Sequence, residues 1–143
     1  MKWLNIMKEE EMIDNEPKTS YELFGVECGN GWKPLIDRYF KWIEEYNNDK
    51  SEENKIETLQ IKEKFGSLRI YPSSYTDELH NLIEKLEEES SNICEECGKH
   101  IEEPIIKNHW IYPLCEDCFN SMEERRKKVM DEFWKKWKEI QKK

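Results

Sequence analysis

Cys94-Glu95-Glu96-Cys97 and Cys115-Glu116-Asp117-Cys118 are two C-x-x-C pairs separated by seventeen residues. Two residues between ligands let both thiolates of one tight turn face a single ion, and a second such turn completes a tetrahedron. Zinc suits four thiolates, because it accepts soft sulfur ligands and its filled d shell imposes no competing geometry. The spacer lies in the window used by zinc sites of this type and is long enough for a small hairpin. Zn2+ is therefore the expected cofactor, with Cys94, Cys97, Cys115 and Cys118 as its ligands. An unfolded chain holds no preformed site, so binding the metal should supply folding energy. An iron–sulfur cluster also takes four thiolates, but at other spacings. A redox C-x-x-C works as a single pair at a strand–helix junction.

The flanks of the pairs point to a structure that could hold them. Gly98-Lys99 follows the first pair, and glycine there lets backbone amides turn toward the sulfurs. Ile105-Ile106 and Trp110-Ile111-Tyr112 read as two short strands around Lys107-Asn108-His109, and the second pair leads straight into a helix. Knuckle, hairpin and a ligand pair in a helix's first turn resemble the treble-clef finger. The positive end of the helix dipole would stabilise thiolates placed there. Pro113-Leu114-Cys115-x-x-Cys118 is also similar to the second half of a zinc deaminase motif, but that family needs a preceding His-x-Glu, and the expectation is that His80, His100 and His109 do not supply one. His100 and His109 lie between the pairs without a convincing acid–base arrangement, and His109 is expected at an exposed hairpin tip. Cys28, beside Gly29-Asn30-Gly31, has no adjacent His to activate it and reads as a half-buried thiol.

These residues need elements to position them. Residues 1–20 read as a lead-in segment, in which Trp3, Leu4, Ile6, Met7, Met12 and Ile13 could form a short amphipathic helix that Pro17 and the polar run around it break. Gly25 to Gly31 is turn-like. Trp32, Leu35, Ile36, Tyr39, Phe40 and Ile43 recur at helical spacing, with Pro34 in the first turn. Ile56 to Tyr71 alternates apolar and polar residues around Gly66, the pattern of a β-hairpin. Ser74 or Thr76 can cap a second helix with Leu79, Leu82, Ile83 and Leu86 buried and Glu87-Glu88-Glu89 solvated. From Asn120 a last helix carries Met122, Val129, Phe133, Trp137 and Ile140 on one face. The expected fold class is α+β: helix, β-hairpin, helix, then a treble-clef-like zinc finger running into a long C-terminal helix. The expected division is a small α+β domain over 21–92, a zinc-finger module over 93–120 and a basic amphipathic helix over 121–143.

A chain of 143 residues suits one compact domain with a small appendage. Its 38% charged residues approach the range where folding becomes difficult, but 12% aromatic residues supply a core that disordered chains lack. No run of eighteen apolar residues is present and the first residues lack a secretory pattern. The expectation is a cytoplasmic protein with no membrane partner, in a compartment that keeps thiols reduced. Residues 121–143 hold nine Lys and Arg against five Asp and Glu, whereas the first 120 residues hold fourteen against twenty-seven. A basic rod is thus attached to an acidic body, whose charge opposes general nucleic-acid binding and suits a basic partner protein.

Two surfaces are candidates for recognition. On the last helix, Arg125, Arg126, Lys127, Lys128, Lys135 and Lys136 accompany Trp134, which lies about 100 degrees round from Phe133 and needs a cover of its own. That cover would be the acidic body, a second subunit in a homo-oligomer, or another protein. Around the first hairpin, Lys62, Lys64, Phe65, Arg69 and Tyr71 could form a basic stacking patch for nucleic acid. The preferred reading there is structural, with Phe65 buried and the charges solvated.

The order Gly31-Trp32-Lys33-Pro34-Leu35-Ile36, Ile61-Lys62-Glu63-Lys64-Phe65-Gly66-Ser67-Leu68-Arg69-Ile70-Tyr71, Ser91-Asn92-Ile93-Cys94-Glu95-Glu96-Cys97-Gly98, then Trp110 to Cys118, resembles a family of small uncharacterised zinc-finger proteins of phages, prophages and bacteria. The resemblance spans about residues 30 to 118 and implies a fold and a genomic setting, without a biochemical activity. The expectation is a non-enzymatic, zinc-stabilised binding protein acting on a protein partner. The phage-like setting implies inhibition of a bacterial defence system such as CRISPR. The alternative is a nucleic-acid-binding regulator using the basic helix and the hairpin patch.

Overall fold

The computed structural model describes residues 18–142. The expected amphipathic lead-in positions, Trp3 to Ile13, lie outside the described residues. A short helix α1 (Ser20–Phe24) is capped by the Thr19 hydroxyl, which accepts from the Glu22 amide, and ends at Gly25 with φ 65°. Strand β1 (Val26–Glu27) follows, then a 3-10 turn (Asn30–Trp32) leading into α2 (Lys33–Asn47). Pro34 sits in the first turn of α2, where its missing N–H costs nothing.

Strands β2 (Thr58–Lys64) and β3 (Ser67–Pro72) pair antiparallel, with Ile61 opposite Ile70 and Lys62 opposite Arg69. Thr76 caps α3 (Asp77–Ser90) by accepting from the Leu79 amide. The second hairpin is β4 (Ile105–Lys107) and β5 (Trp110–Tyr112), and the last helix, α4 (Glu116–Gln141), has Cys115 as its N-cap. The architecture is α+β in the expected order of helix, hairpin, helix, cysteine cluster and long C-terminal helix.

One apolar layer holds the first part together. Trp32 from the 3-10 turn, Leu35, Ile36, Tyr39 and Ile43 from α2, and Leu79, Ile83 and Leu86 from α3 meet Ile61, Leu68 and Ile70 on one face of the sheet. Alternation in β3 puts Leu68 and Ile70 inward and Arg69 outward, as a period of two requires. A second, smaller cluster joins Cys94, Ile101 and Leu114 with Tyr112, Phe119 and Met122.

Four sequence expectations change. Gly25–Gly31 is more than a bend, because Val26 and Glu27 pair in parallel with Ile61 and Lys62. The last helix begins at Glu116, a full turn earlier than Asn120, because Cys115 serves as both ligand candidate and N-cap. Glu87 is only partly solvated: it lies beside Arg69, and burial pushes its carboxyl up. Phe65 is not buried either; its side chain is 73% exposed. Phe65 and Gly66 have φ of 52° and 87° and form the two-residue turn of the hairpin, which turns the Phe65 side chain outward. Gly66 is required there for a second reason. A Cβ on it would meet Ile111 Cγ2 at 2.5 Å, so the tip of the first hairpin rests on the second.

Candidate metal centre

Local structure brings the four cysteines together from two turns. In the first, the Gly98 amide donates to the Cys94 carbonyl at 2.9 Å, and the Cys94 amide donates to the Lys99 carbonyl at 2.7 Å. Gly98 adopts φ 81°, a left-handed conformation in which a side chain is strained, and this reverses the chain after Cys97. The turn is tied to its surroundings by Asn92, whose side-chain amide donates to the Ile101 and Glu102 carbonyls at 3.1 and 3.0 Å. The second pair opens α4: Cys115 caps it and the Phe119 amide donates back to the Cys115 carbonyl at 2.9 Å. The Glu95 amide donates to the Pro113 carbonyl at 2.8 Å, which holds the two turns side by side.

The sulfurs of Cys94, Cys97, Cys115 and Cys118 all lie within 4.8 Å of one another. Cys97 Sγ and Cys115 Sγ are 3.8 Å apart. A tetrahedron with metal–sulfur bonds of about 2.3 Å has edges of about 3.8 Å, so the pair already sits at the separation that zinc imposes. All four positions of a tetrahedral ion are filled by protein, the arrangement of a structural site with no open position for substrate.

The electrostatics favour a cation at the centre. Burial disfavours the charged form of Cys94, but backbone N–H groups of Cys97, Cys115 and Glu96 directed at its sulfur outweigh this and bring the thiol down to about 7. The Lys99 amide is directed at Cys97, but burial and the neighbouring sulfurs of Cys94 and Cys115 outweigh it and push that thiol up. Burial and the neighbouring sulfurs of Cys115, Cys97 and Cys94 push Cys118 up. Thiols packed this closely cannot all ionise unaided, and a divalent cation at their centre removes the conflict by holding each as thiolate. The donor set and the amides aimed at sulfur therefore fit zinc.

The support of this centre was the part that sequence reading missed. Gly29 and Gly31 press against the first cysteine turn. The Gly31 amide donates to the Glu95 carbonyl at 2.7 Å, and the Gly29 amide donates to Glu95 Oε2 at 3.0 Å. A Cβ on Gly29 would meet the Glu95 carbonyl oxygen at 2.5 Å, and one on Gly31 would collide with the Cys94 and Glu95 carbonyls and lie 2.6 Å from the Gly98 nitrogen. Next in sequence, the fully buried Trp32 donates from Nε1 to the Ile93 carbonyl at 2.8 Å. The signal was present as Gly-x-Gly-Trp, but only the contact with residues 93–98 tells close approach apart from a simple bend. Burial raises the Glu95 carboxyl, and the Gly29 amide offsets part of that effect.

The other singled-out residues fall elsewhere. Cys28 is half-buried against the first core, and burial, with Glu95 and Glu63 nearby, pushes its thiol up to about 12. His100-Ile101-Glu102 does have the His-x-Glu spacing of a deaminase. However, the two side chains are exposed and face each other at 3.5 Å, while four cysteines already complete the metal set. His109 occupies the turn of the second hairpin with φ 65° and is exposed.

Lys62, Lys64, Phe65, Arg69 and Tyr71 do come together on the first hairpin. Lys62 Nζ lies 5.8 Å from the Tyr71 ring centre and Lys64 Nζ 5.5 Å from that of Phe65, while Arg69 pairs with Glu87 at 3.7 Å. Arg125, Lys127, Lys128, Trp134, Lys135 and Lys136 are all exposed on α4. Of these basic residues Arg126 is the one with a partner among the described residues, donating to the Tyr112 hydroxyl at 3.2 Å and covering that ring. Among the described residues, no helix is long and apolar enough to cross a membrane. No family model, curated protein or solved structure matches the chain.

Proposed function

We propose that the protein is a zinc-stabilised binding protein that acts on a protein partner without catalysing a reaction, and that α4 is its recognition element. One observation carries this reading. Val129, Met130, Phe133, Trp134, Trp137 and Ile140 of α4 are each 47–67% exposed, although the same helix packs Phe119 and Met122 into the finger. A run of large apolar side chains on a long helix, uncovered among the described residues, marks a binding surface. The closed donor set and the protonated Cys28 support binding over catalysis, since neither offers an open metal position or a nucleophile.

The resemblance carried by Lys62 to Tyr71 and the cysteine spacing supports a phage or bacterial setting, and with it inhibition of a defence system such as CRISPR. A second reading, a nucleic-acid-binding regulator, is favoured by the exposed Phe65 with Lys64 above its ring. Affinity purification from the native host, run in parallel with a Phe133→Ser, Trp137→Ser chain, separates these readings. A protein retained stoichiometrically by the unaltered chain and lost by the variant supports the first. Retention of nuclease-sensitive nucleic acid supports the second. Equal recovery of everything by both chains removes α4 as the recognition element.

A further inference from the structure

The uncovered face of α4 has a definite shape and a definite rim. At about 100 degrees per residue, Val129, Ile140, Phe133, Trp137, Met130 and Trp134 fall within an arc of about 140 degrees. Phe119, Met122 and Arg126 fall within the same arc, and these three cover the finger and Tyr112. The stripe is therefore a continuation of a face that is already a packing interface, extending about 17 Å from Val129 to Ile140. Its borders are basic: Lys127 and Lys138 follow Trp134 on one side, and Lys136 and Arg125 precede Val129 on the other. From Arg125 to the last residue there are nine Lys and Arg against three Asp and Glu.

Charge decides among the occupants. A second copy pairing through this stripe would bring one basic border against another in either orientation, an arrangement that costs stability. An anionic membrane would satisfy the lysines and the aromatics. A bilayer, however, is an extended plane that also faces the acidic body, whose first 120 residues carry twenty-seven Asp and Glu against fourteen Lys and Arg. Nucleic acid would satisfy the lysines but leave Val129, Met130 and Ile140 uncovered. A protein segment need only cover the stripe.

We propose that the partner of α4 presents an amphipathic helical segment whose apolar face is bordered by Asp and Glu, lying along the stripe from Val129 to Ile140. This rests on the reading of α4 as the recognition element. Apolar contacts along the stripe supply affinity, and the basic borders select acidic partners and reject basic ones.

The test uses the full, zinc-loaded chain and two labelled probe peptides of about three heptads, with leucine on the apolar face and glutamate or lysine on both borders. Fluorescence anisotropy should show the glutamate peptide binding at least about tenfold more tightly than the lysine peptide, with the preference shrinking as salt rises. Val129→Ser with Phe133→Ser and Ile140→Ser should abolish binding while zinc content stays unchanged. Lys127→Glu with Lys136→Glu and Lys138→Glu should turn the preference toward the lysine peptide. The proposal is overturned by equal binding of the two peptides, or by no binding of either. It is also overturned by tighter binding to phosphatidylglycerol vesicles or single-stranded DNA, or by concentration-dependent dimerisation that the serine variant removes. Loss of a captured host protein by the Phe133→Ser, Trp137→Ser chain, without a charge preference between the peptides, would remove the acidic partner and leave recognition through α4 standing.

Discussion

The Gly31 amide donates to the Glu95 carbonyl at 2.7 Å, so the loop before the first long helix is bonded to the backbone between Cys94 and Cys97. Gly29 and Trp32 add bonds on either side, to Glu95 Oε2 and to the Ile93 carbonyl. The first core and the cysteine turns consequently share one continuous set of backbone contacts. Metal bound by the cysteines therefore stabilises more than the finger that contains them.

Gly31→Ala should destabilise the fold and weaken zinc binding together, because a Cβ there meets carbonyl oxygens that cannot move without displacing Cys94. The expected loss is about 1–3 kcal/mol, the usual cost of overpacking. Thermal melting with and without a zinc-buffering chelator measures it. An unchanged melting temperature in both conditions would show that the loop does not bear on the centre.

Trp32→Phe keeps an aromatic ring at this buried position but makes it smaller and removes the donor to the Ile93 carbonyl. Leaving a partly buried carbonyl without its partner should cost about 1–3 kcal/mol. Denaturant titration of the zinc-loaded chain should show the midpoint fall. The same substitution should raise the chelator sensitivity of the fold, which a purely local packing defect would leave alone.

Cys97→Ser or Cys118→Ser should each abolish tight zinc binding and melt the region around the second hairpin, since three thiolates leave the tetrahedron open. Cys28→Ser should leave one zinc per chain. Its thiol, pushed up to about 12, should react with iodoacetamide at pH 8 on the order of a thousand-fold more slowly than an ordinary cysteine. Mass spectrometry after timed alkylation reads both outcomes.

Charge reversal at Arg125, Lys127 and Lys128 should change the stability by no more than other surface substitutions, about 0.5 kcal/mol, because these side chains are exposed. Arg126→Ala should behave differently and cost more, since Arg126 both bonds and covers Tyr112. Partner binding lost with stability intact assigns the basic residues to recognition. A large drop in melting temperature would mean that they hold the helix on the body.

The cysteine cluster was legible because its pattern is written in local spacing: two residues inside each pair and a hairpin-length gap between them. The helices were legible where apolar residues repeat, as in Leu35, Ile36, Tyr39 and Ile43 or Leu79, Ile83 and Leu86. Val26 and Glu27 escaped notice because a two-residue strand has no period to read. Phe65 was misplaced because alternation along β2 and β3 says nothing about the turn, where positive φ at both positions resets the direction of the side chain. Gly29 and Gly31 read as a simple bend in the sequence because their partner, the turn at Glu95, is distant along the chain. Contacts of that kind come from the fold, and no local pattern announces them.

Four sulfurs within 4.8 Å of one another, gathered round one ion, are the premise from which the fold, its stability and the reading of α4 as a supported rod all proceed. X-ray absorption at the zinc edge, on full-length protein carrying one equivalent of metal, tests that premise directly. The expected spectrum shows about four sulfur neighbours at about 2.3 Å and no nitrogen or oxygen in the first coordination sphere. A mixed sulfur and nitrogen shell, an open position filled by water, or zinc that washes off before measurement would contradict it.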